Sequence, residues 1–178
     1  NGAYALSIAD GSGATYFTGD VGLVSPLNSV AVTSSGNINL AGYVQTSGAQ
    51  NYGSNVILTG TNVNLSTLGS SSAGANITVS GNINGITANA NSLYVSSGSG
   101  TVSITGSIGS TVALGYLGLG GTGSYAASQV TNFAYTGSVQ TYIVPVGVTS
   151  ITYTVSGASG GATSAGSNSL SGTGGLIS

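Results

Sequence analysis

Two carboxylates, Asp10 and Asp20, and ten tyrosines are the only titratable side chains in this 178-residue sequence. A carboxylate pair can divide acid and base work between its members. With backbone carbonyls, it can also begin a calcium site. Asp10 lies in Asp10-Gly11-Ser12-Gly13 and Asp20 follows Gly19. Both are turn contexts, and both residues are read as solvated turn residues rather than metal ligands. Ser and Thr are plentiful, but without His or Lys none can be activated as a nucleophile, and there is no Cys to replace them. Zinc lacks its usual His and Cys ligands. Phosphate and nucleic acid lack every Lys and Arg that counterion release requires. The expectation is no enzyme, no cofactor, no metal and no nucleic-acid partner.

Tyrosines have a second use, because a phenol ring can stack on a sugar. Tyr16, Tyr43, Tyr52 and Tyr94 could make such a strip. The reading adopted is that they are half-buried packing residues at corners of the fold.

The elements that carry these residues must be built almost without charge. Only 1% of residues are charged, against roughly 25% in an ordinary domain. The hydrophobic fraction is 40%, and no run approaches the ~18 apolar residues of a transmembrane helix, so no membrane insertion is expected. Disorder goes with low hydrophobicity and high net charge, which this chain lacks. Frequent Val, Ile, Thr and Tyr favour strands, while recurrent Gly and Ser disfavour helix. The chain reads as all-β. The absence of cysteine leaves the redox compartment open. A start at Asn1 without a basic leader, and the lack of Met, suggest a mature or excised piece of a longer protein. Trypsin-like proteases would find no Lys or Arg to cut, which fits an extracellular or cell-surface setting.

A repeat organises the first two thirds. A short polar–apolar–x–apolar segment recurs as Ala5–Ile8, Ser29–Val32, Asn55–Leu58, Asn76–Val79 and Ser92–Val95, at spacings of 24, 26, 21 and 16 residues. Val112 and Leu114 fit the start of a sixth copy. A second segment follows each: Ala14–Phe17, Asn37–Leu40, Asn62–Leu65, Asn82–Asn84 and Thr101–Ile104. Two alternating strands in about 20 residues describe one coil of a β-solenoid. Alternation points Val30, Val32, Ile38 and Leu40 inward.

Stacked coils bring like residues into columns ~4.8 Å apart. One expected apolar column is Leu6, Val30, Val56, Ile77 and Leu93; another is Ile8, Val32, Leu58, Val79 and Val95. Asn37, Asn62 and Asn82 would form an amide ladder beside Asn39, Asn64 and Asn84, as in cross-β stacks. The sequons at Asn64 and Asn76 are read as ladder positions on strands rather than as glycosylation acceptors.

The stretches Val21–Val32, Gly36-Asn37-Ile38-Asn39-Leu40 and Thr46-Ser47-Gly48-Ala49-Gln50-Asn51-Tyr52 carry a family resemblance. Over residues 1–115 the pattern resembles the filamentous-haemagglutinin-like repeats of bacterial surface proteins, many of them exported by two-partner secretion. The resemblance implies a right-handed parallel β-helix at the cell surface with adhesive or fibrous roles.

The periodicity breaks in the glycine-rich stretch Gly115–Gly123, so residues 116–127 are read as a linker. Beyond it, 128–178 holds two candidate strands, Gln140–Val144 and Ser150–Val155, joined through Pro145-Val146-Gly147. This part is similar to the opening of a glycine-rich β-domain of extracellular proteins, carried by Ser156-Gly157-Ala158-Ser159-Gly160-Gly161. Ser156 stands where that family commonly has an aromatic residue, and the unit reads as incomplete alone. The expected fold is an all-β chain: a parallel β-helix of five or six coils, then a small β-hairpin or sandwich-like unit.

The expected function is that of a structural subunit of an extracellular filament or surface fibre, self-associating through strand and solenoid-end contacts. The alternative is an adhesin stalk that binds surface glycans. An ice-binding surface is set aside, because Thr33, Thr59, Thr78 and Thr105 do not hold one column.

Overall fold

The structure is a computed structural model that describes residues 2–70, 73–120, 125–129, 155–156 and 176–177. The chain divides into two units, Asn1–Gly147 and Val148–Ser178.

The first unit is built coil by coil from short alternating strands. The first coil holds β1 (Ala5–Gly11) and β2 (Thr15–Phe17), and the second β3 (Ser29–Ser34), β4 (Ile38–Leu40) and β5 (Tyr43–Gln45). The third holds β6 (Gln50–Tyr52), β7 (Val56–Leu58) and β8 (Asn62–Ser66). The fourth holds β9 (Ile77–Val79), β10 (Ile83–Gly85) and β11 (Ser92–Ser96). The fifth holds β12 (Val102–Ile108) and β13 (Tyr116–Gly120), and β14 (Tyr125–Gln129) opens a sixth.

Every ladder among the described residues of this unit is parallel, and each coil lies on the one before it. The described residues contain no helix. The chain is therefore all-β, a parallel β-solenoid of about five turns, as its alternation and turn composition led us to expect.

Each coil has three faces, where the sequence pattern suggested two strands. The first face stacks β1, β3, β6, β9 and the start of β12; the second stacks β2, β4, β7, β10 and the end of β12. β12 turns the corner without breaking, which joins both faces into one bent ten-stranded sheet that includes β14. The third face is the four-stranded sheet β5, β8, β11 and β13. In the first coil, isolated bridges at Val21 and Leu27 take its place. Leu6, Val30, Gln50, Ile77, Val102 and Tyr125 share one register position, so successive coils take 24, 20, 27, 25 and 23 residues by subtraction.

The register corrects the expected apolar columns. Leu6, Val30 and Ile77 do share one, but its third member is Gln50; Val56 belongs to the second face between Ile38 and Ile83, and Leu93 to the third between Val63 and Leu117. Likewise Ile8, Val32 and Val79 share a column with Tyr52, whereas Leu58 stacks on Leu40 and Val95 between Leu65 and Leu119. All these positions point inward. The strand alternation could reveal that much, but not which face each strand occupies. From the second coil on, the inward aliphatic residues are almost wholly buried, each contributing roughly 1.5–3 kcal/mol over exposure.

Among the strands the pattern missed is β6, whose Gln50 and Tyr52 are fully buried. Gln50 Nε2 donates to the carbonyls of Val44 and Ser66, both at 2.9 Å, and to Thr46 Oγ1 at 3.2 Å. Tyr52 donates its hydroxyl to Gln50 Oε1 at 2.9 Å. The buried amide thus replaces an aliphatic residue without leaving a donor unmet.

Corners are closed by small polar side chains. Thr46, Thr67 and Ser97 follow the third face, all fully buried. Their hydroxyls donate to the carbonyls of Gly48, Ala75 and Gly100 at 2.6, 3.0 and 2.9 Å. Some corners bring backbone onto backbone. A Cβ at Gly60 would lie 1.8 Å from the Ala41 carbonyl oxygen, which no side chain can accommodate.

The stretch read as a linker, 116–127, contains β13 and the start of β14, so the solenoid runs past residue 115. Tyr116, Leu117 and Leu119 have the same alternation as earlier coils, masked by Gly118 and Gly120. In the second unit the described backbone is β15 (Val155–Ser156) paired antiparallel with β16 (Leu176–Ile177). The expected strand Gln140–Val144 and most of Ser150–Val155 lie outside the described residues.

Two outcomes test this packing. Gly60→Ala is expected to lower the melting temperature sharply, whereas Gly19→Ala, with nothing within 4 Å of its new Cβ, leaves it unchanged. Gln50→Ala strands the Tyr52 hydroxyl and two carbonyls and is expected to cost about 3 kcal/mol in denaturant unfolding. A loss under about 1 kcal/mol would mean the amide network is not a structural element.

Candidate functional site

The asparagines expected to form ladders take other positions. Asn39 on the second face has Ile57 as its neighbour, with Asn84 one coil further; Asn64 lies on the third face, between Tyr43 and Tyr94. Asn62 is also on the third face, paired with Ser92. Asn37 and Asn82 share the corner before the second face, but the residue between them is Asn55. Asn37, Asn55 and Asn82 thus make one asparagine column at that corner, while Ile57 interrupts the second expected ladder.

Asparagine instead pins one coil's backbone to the next. Asn55 Oδ1 accepts the Asn82 N–H, and Asn82 Oδ1 the Ser107 N–H, both at 2.8 Å. Asn76 Oδ1 accepts from Thr101 N–H at 2.9 Å, and Asn84 Oδ1 from Thr111 and Val112 at 3.0 and 3.2 Å. Asn91, nearly buried, accepts from Ile86 and Thr87 and donates to the Gly60 carbonyl at 2.9 Å. An Asn placed just before a strand is the sequence signal for several of these. Asn76 is therefore engaged at a corner, one residue ahead of β9, and not in a ladder.

The two carboxylates both lie in the first coil, Asp10 near the end of β1 where its register with β3 shifts and Asp20 after β2. Asp10 Oδ2 accepts the Thr15 hydroxyl. The hydroxyls of Thr15 and Ser34 hold the Asp10 carboxyl below the usual carboxylate range. Asp20 Oδ1 accepts the Tyr43 N–H at 2.8 Å, so it performs the same pinning role as the asparagines.

Of the four tyrosines read as packing residues, only Tyr52 is buried. Tyr16 is 66% exposed on the second face, while Tyr43 (42%) and Tyr94 (38%) project from the third. Sequence reasoning missed Tyr116, because Gly118 disguised its strand. Tyr116 is 44% exposed and its ring lies over the bare backbone of Gly118, where a Cβ would come within 2.8 Å of Cε1. There it meets Tyr94, with ring centroids 5.1 Å apart and a 34° tilt, inside the favourable range for aromatic pairs.

Tyr43, Asn62, Asn64 and Tyr94 line an open cleft of about 390 Å³. Its outward column runs Tyr43, Asn64, Tyr94, so two rings flank one amide. Asn64 Oδ1 is buried without a hydrogen-bond partner. The arrangement offers ring faces, two amides and no charge. It can bind by stacking and hydrogen bonding.

The buried phenol predicts the pH response. Burial raises Tyr52 well above the ordinary phenol value of about 10. The folded chain therefore keeps a proton that the unfolded chain releases, and stability falls as pH rises above about 10. Asp10 acts in the opposite direction: its lowered value gives stability that is present above the unfolded pKa of about 4 and lost below it. The melting temperature is expected to be flat between about pH 5 and 9. Tyr52→Phe should weaken the alkaline limb, and an unchanged limb would contradict the assignment.

Comparison with protein-family models, with curated proteins and with solved structures finds no match to this chain.

Proposed function

We propose that this chain is a structural segment of an extracellular filament or surface fibre that self-associates through its strand edges. The observation that carries the reading is the state of the first rung. Leu6 and Ile8 point inward on β1 but are only half-buried, whereas Val30 and Val32, one coil further, are 0% and 2% exposed. Among the described residues β1 pairs on one side only, with β3. An edge with apolar residues behind it takes another strand, from a preceding coil or from a second copy, and natural proteins blunt edges that are left free with charge. Asp10 is the one charge on β1, and the chain has no Lys, Arg or Glu to add to it. The exposed Leu23 (48%) and Val24 (89%) in the first coil add apolar surface.

An extracellular setting is supported by the lack of Lys and Arg, which removes trypsin-type cleavage sites. Resemblance to filamentous-haemagglutinin-like repeats supports the same setting.

Negative-stain microscopy of the purified chain tests the proposal. Fibres that lengthen with protein concentration are expected, and Leu6→Lys with Ile8→Lys, which places charge on the open rung, should shorten or abolish them. Single short rods at every concentration would overturn the filament reading.

A further inference from the structure

We infer that the third face of the solenoid carries a binding site for neutral glycans, centred on Asn64 between Tyr43 and Tyr94. The site is independent of the filament reading and stands whether or not the chain polymerises.

The argument starts from rung spacing. Tyr43 and Tyr94 occupy the same outward column with Asn64 between them, so they stand two rungs apart, or ~9.6 Å at the usual strand separation. Stacked rings meet at about 4.5–7 Å between centroids. Two rungs are therefore too far for the tyrosines to stack on each other, as Tyr94 does with Tyr116 at 5.1 Å. They leave room for one further ring midway, at ~4.8 Å from each neighbour. The cleft of about 390 Å³ at this point falls within the ~300–1,000 Å³ of small-molecule sites.

The floor of the slot selects the ring. Asn64 Oδ1 is closed to water and has no partner, so the Asn64 amide meets the cleft through its Nδ2, which offers N–H donors. Asn62 on the same face is exposed and offers a second amide. A hexopyranose suits this combination: its C–H faces stack on both tyrosines, and its rim hydroxyls accept from the Asn64 and Asn62 amide N–H groups and donate to the exposed Asn62 Oδ1. A flat aromatic hydrocarbon could stack but would leave Asn64 unmet.

Charge narrows the class further. The chain has no cation to pair with sulfate, carboxylate or phosphate, and Asp20 lies one rung from Tyr43. Sulfated and acidic glycans are therefore disfavoured, and neutral hexose polymers remain. Tyr116, stacked on Tyr94 over Gly118, extends the aromatic surface along the solenoid and can receive the next sugar of a chain.

Titration calorimetry on the full chain tests the site, with tyrosine fluorescence as a second readout because Trp is absent. The probes are neutral gluco-, manno- and galacto-oligosaccharides, with heparin as the anionic control and thioflavin T as the flat aromatic control. At least one neutral series is expected to bind, and heparin is not. Tyr43→Ala and Tyr94→Ala should each weaken binding by about ten-fold, and Asn64→Leu, which keeps the shape but removes the amide, should do the same. Tyr94→Phe keeps the ring and should retain affinity. Tyr16→Ala, on another face, should leave affinity unchanged, and melting curves of all variants confirm that the fold persists. Failure of every neutral sugar overturns the proposal, as does heparin binding above the neutral series. Equal losses at Tyr16 and Tyr94, or thioflavin binding without sugar binding, overturn it too.

Discussion

In-register parallel stacking is the constraint on which the rest of this molecule depends. Each residue of one coil sits over a counterpart in the next, ~4.8 Å away. Two like charges at about that distance repel by ~1 kcal/mol in bulk water and by several times that near a protein surface. A chain with two charges in 178 residues avoids that cost almost everywhere. Both of its carboxylates lie in the first coil, where each accepts a hydrogen bond: Asp10 from Thr15 and Asp20 from the Tyr43 backbone.

Stacking also dictates how corners are made. Three turns per coil remove backbone groups from the ladders, and every one needs a partner. Buried hydroxyls at Thr46, Thr67 and Ser97 close one corner, and asparagine carbonyls at Asn55 and Asn82 bridge coils at another. The same logic admits one polar cluster into the core. Gln50 can replace an aliphatic residue because two carbonyls, a threonine and a tyrosine hydroxyl satisfy its amide.

The outward surface is where the faces differ. Aromatic residues concentrate on the third face, with Tyr43, Tyr94 and Tyr116 around Asn62 and Asn64. A surface without cations must recognise by shape, stacking and hydrogen bonds. Regular rung spacing supplies the shape, since a ring-sized gap opens wherever an aromatic column skips one coil.

The all-β class, the parallel solenoid and the inward direction of Val30, Val32, Ile38 and Leu40 were legible in the sequence. Pleating is local: alternation within four residues states which side chains share a side of the strand. Which strand lies over which was not legible. Val56 and Leu93 have the same local pattern as Val30, yet belong to two other faces. Coil lengths from 20 to 27 residues hid the repeat, and polar β6 and glycine-rich β13 hid two of its strands. The candidate site was visible only as scattered tyrosines. Tertiary structure alone decided that Tyr52 is core, that Tyr43 and Tyr94 flank Asn64, and that Tyr116 joins them. Those neighbours are set by register between coils, which depends on corners and loop lengths far apart in the chain, and a one-residue slip would turn every side chain of a strand to its opposite side.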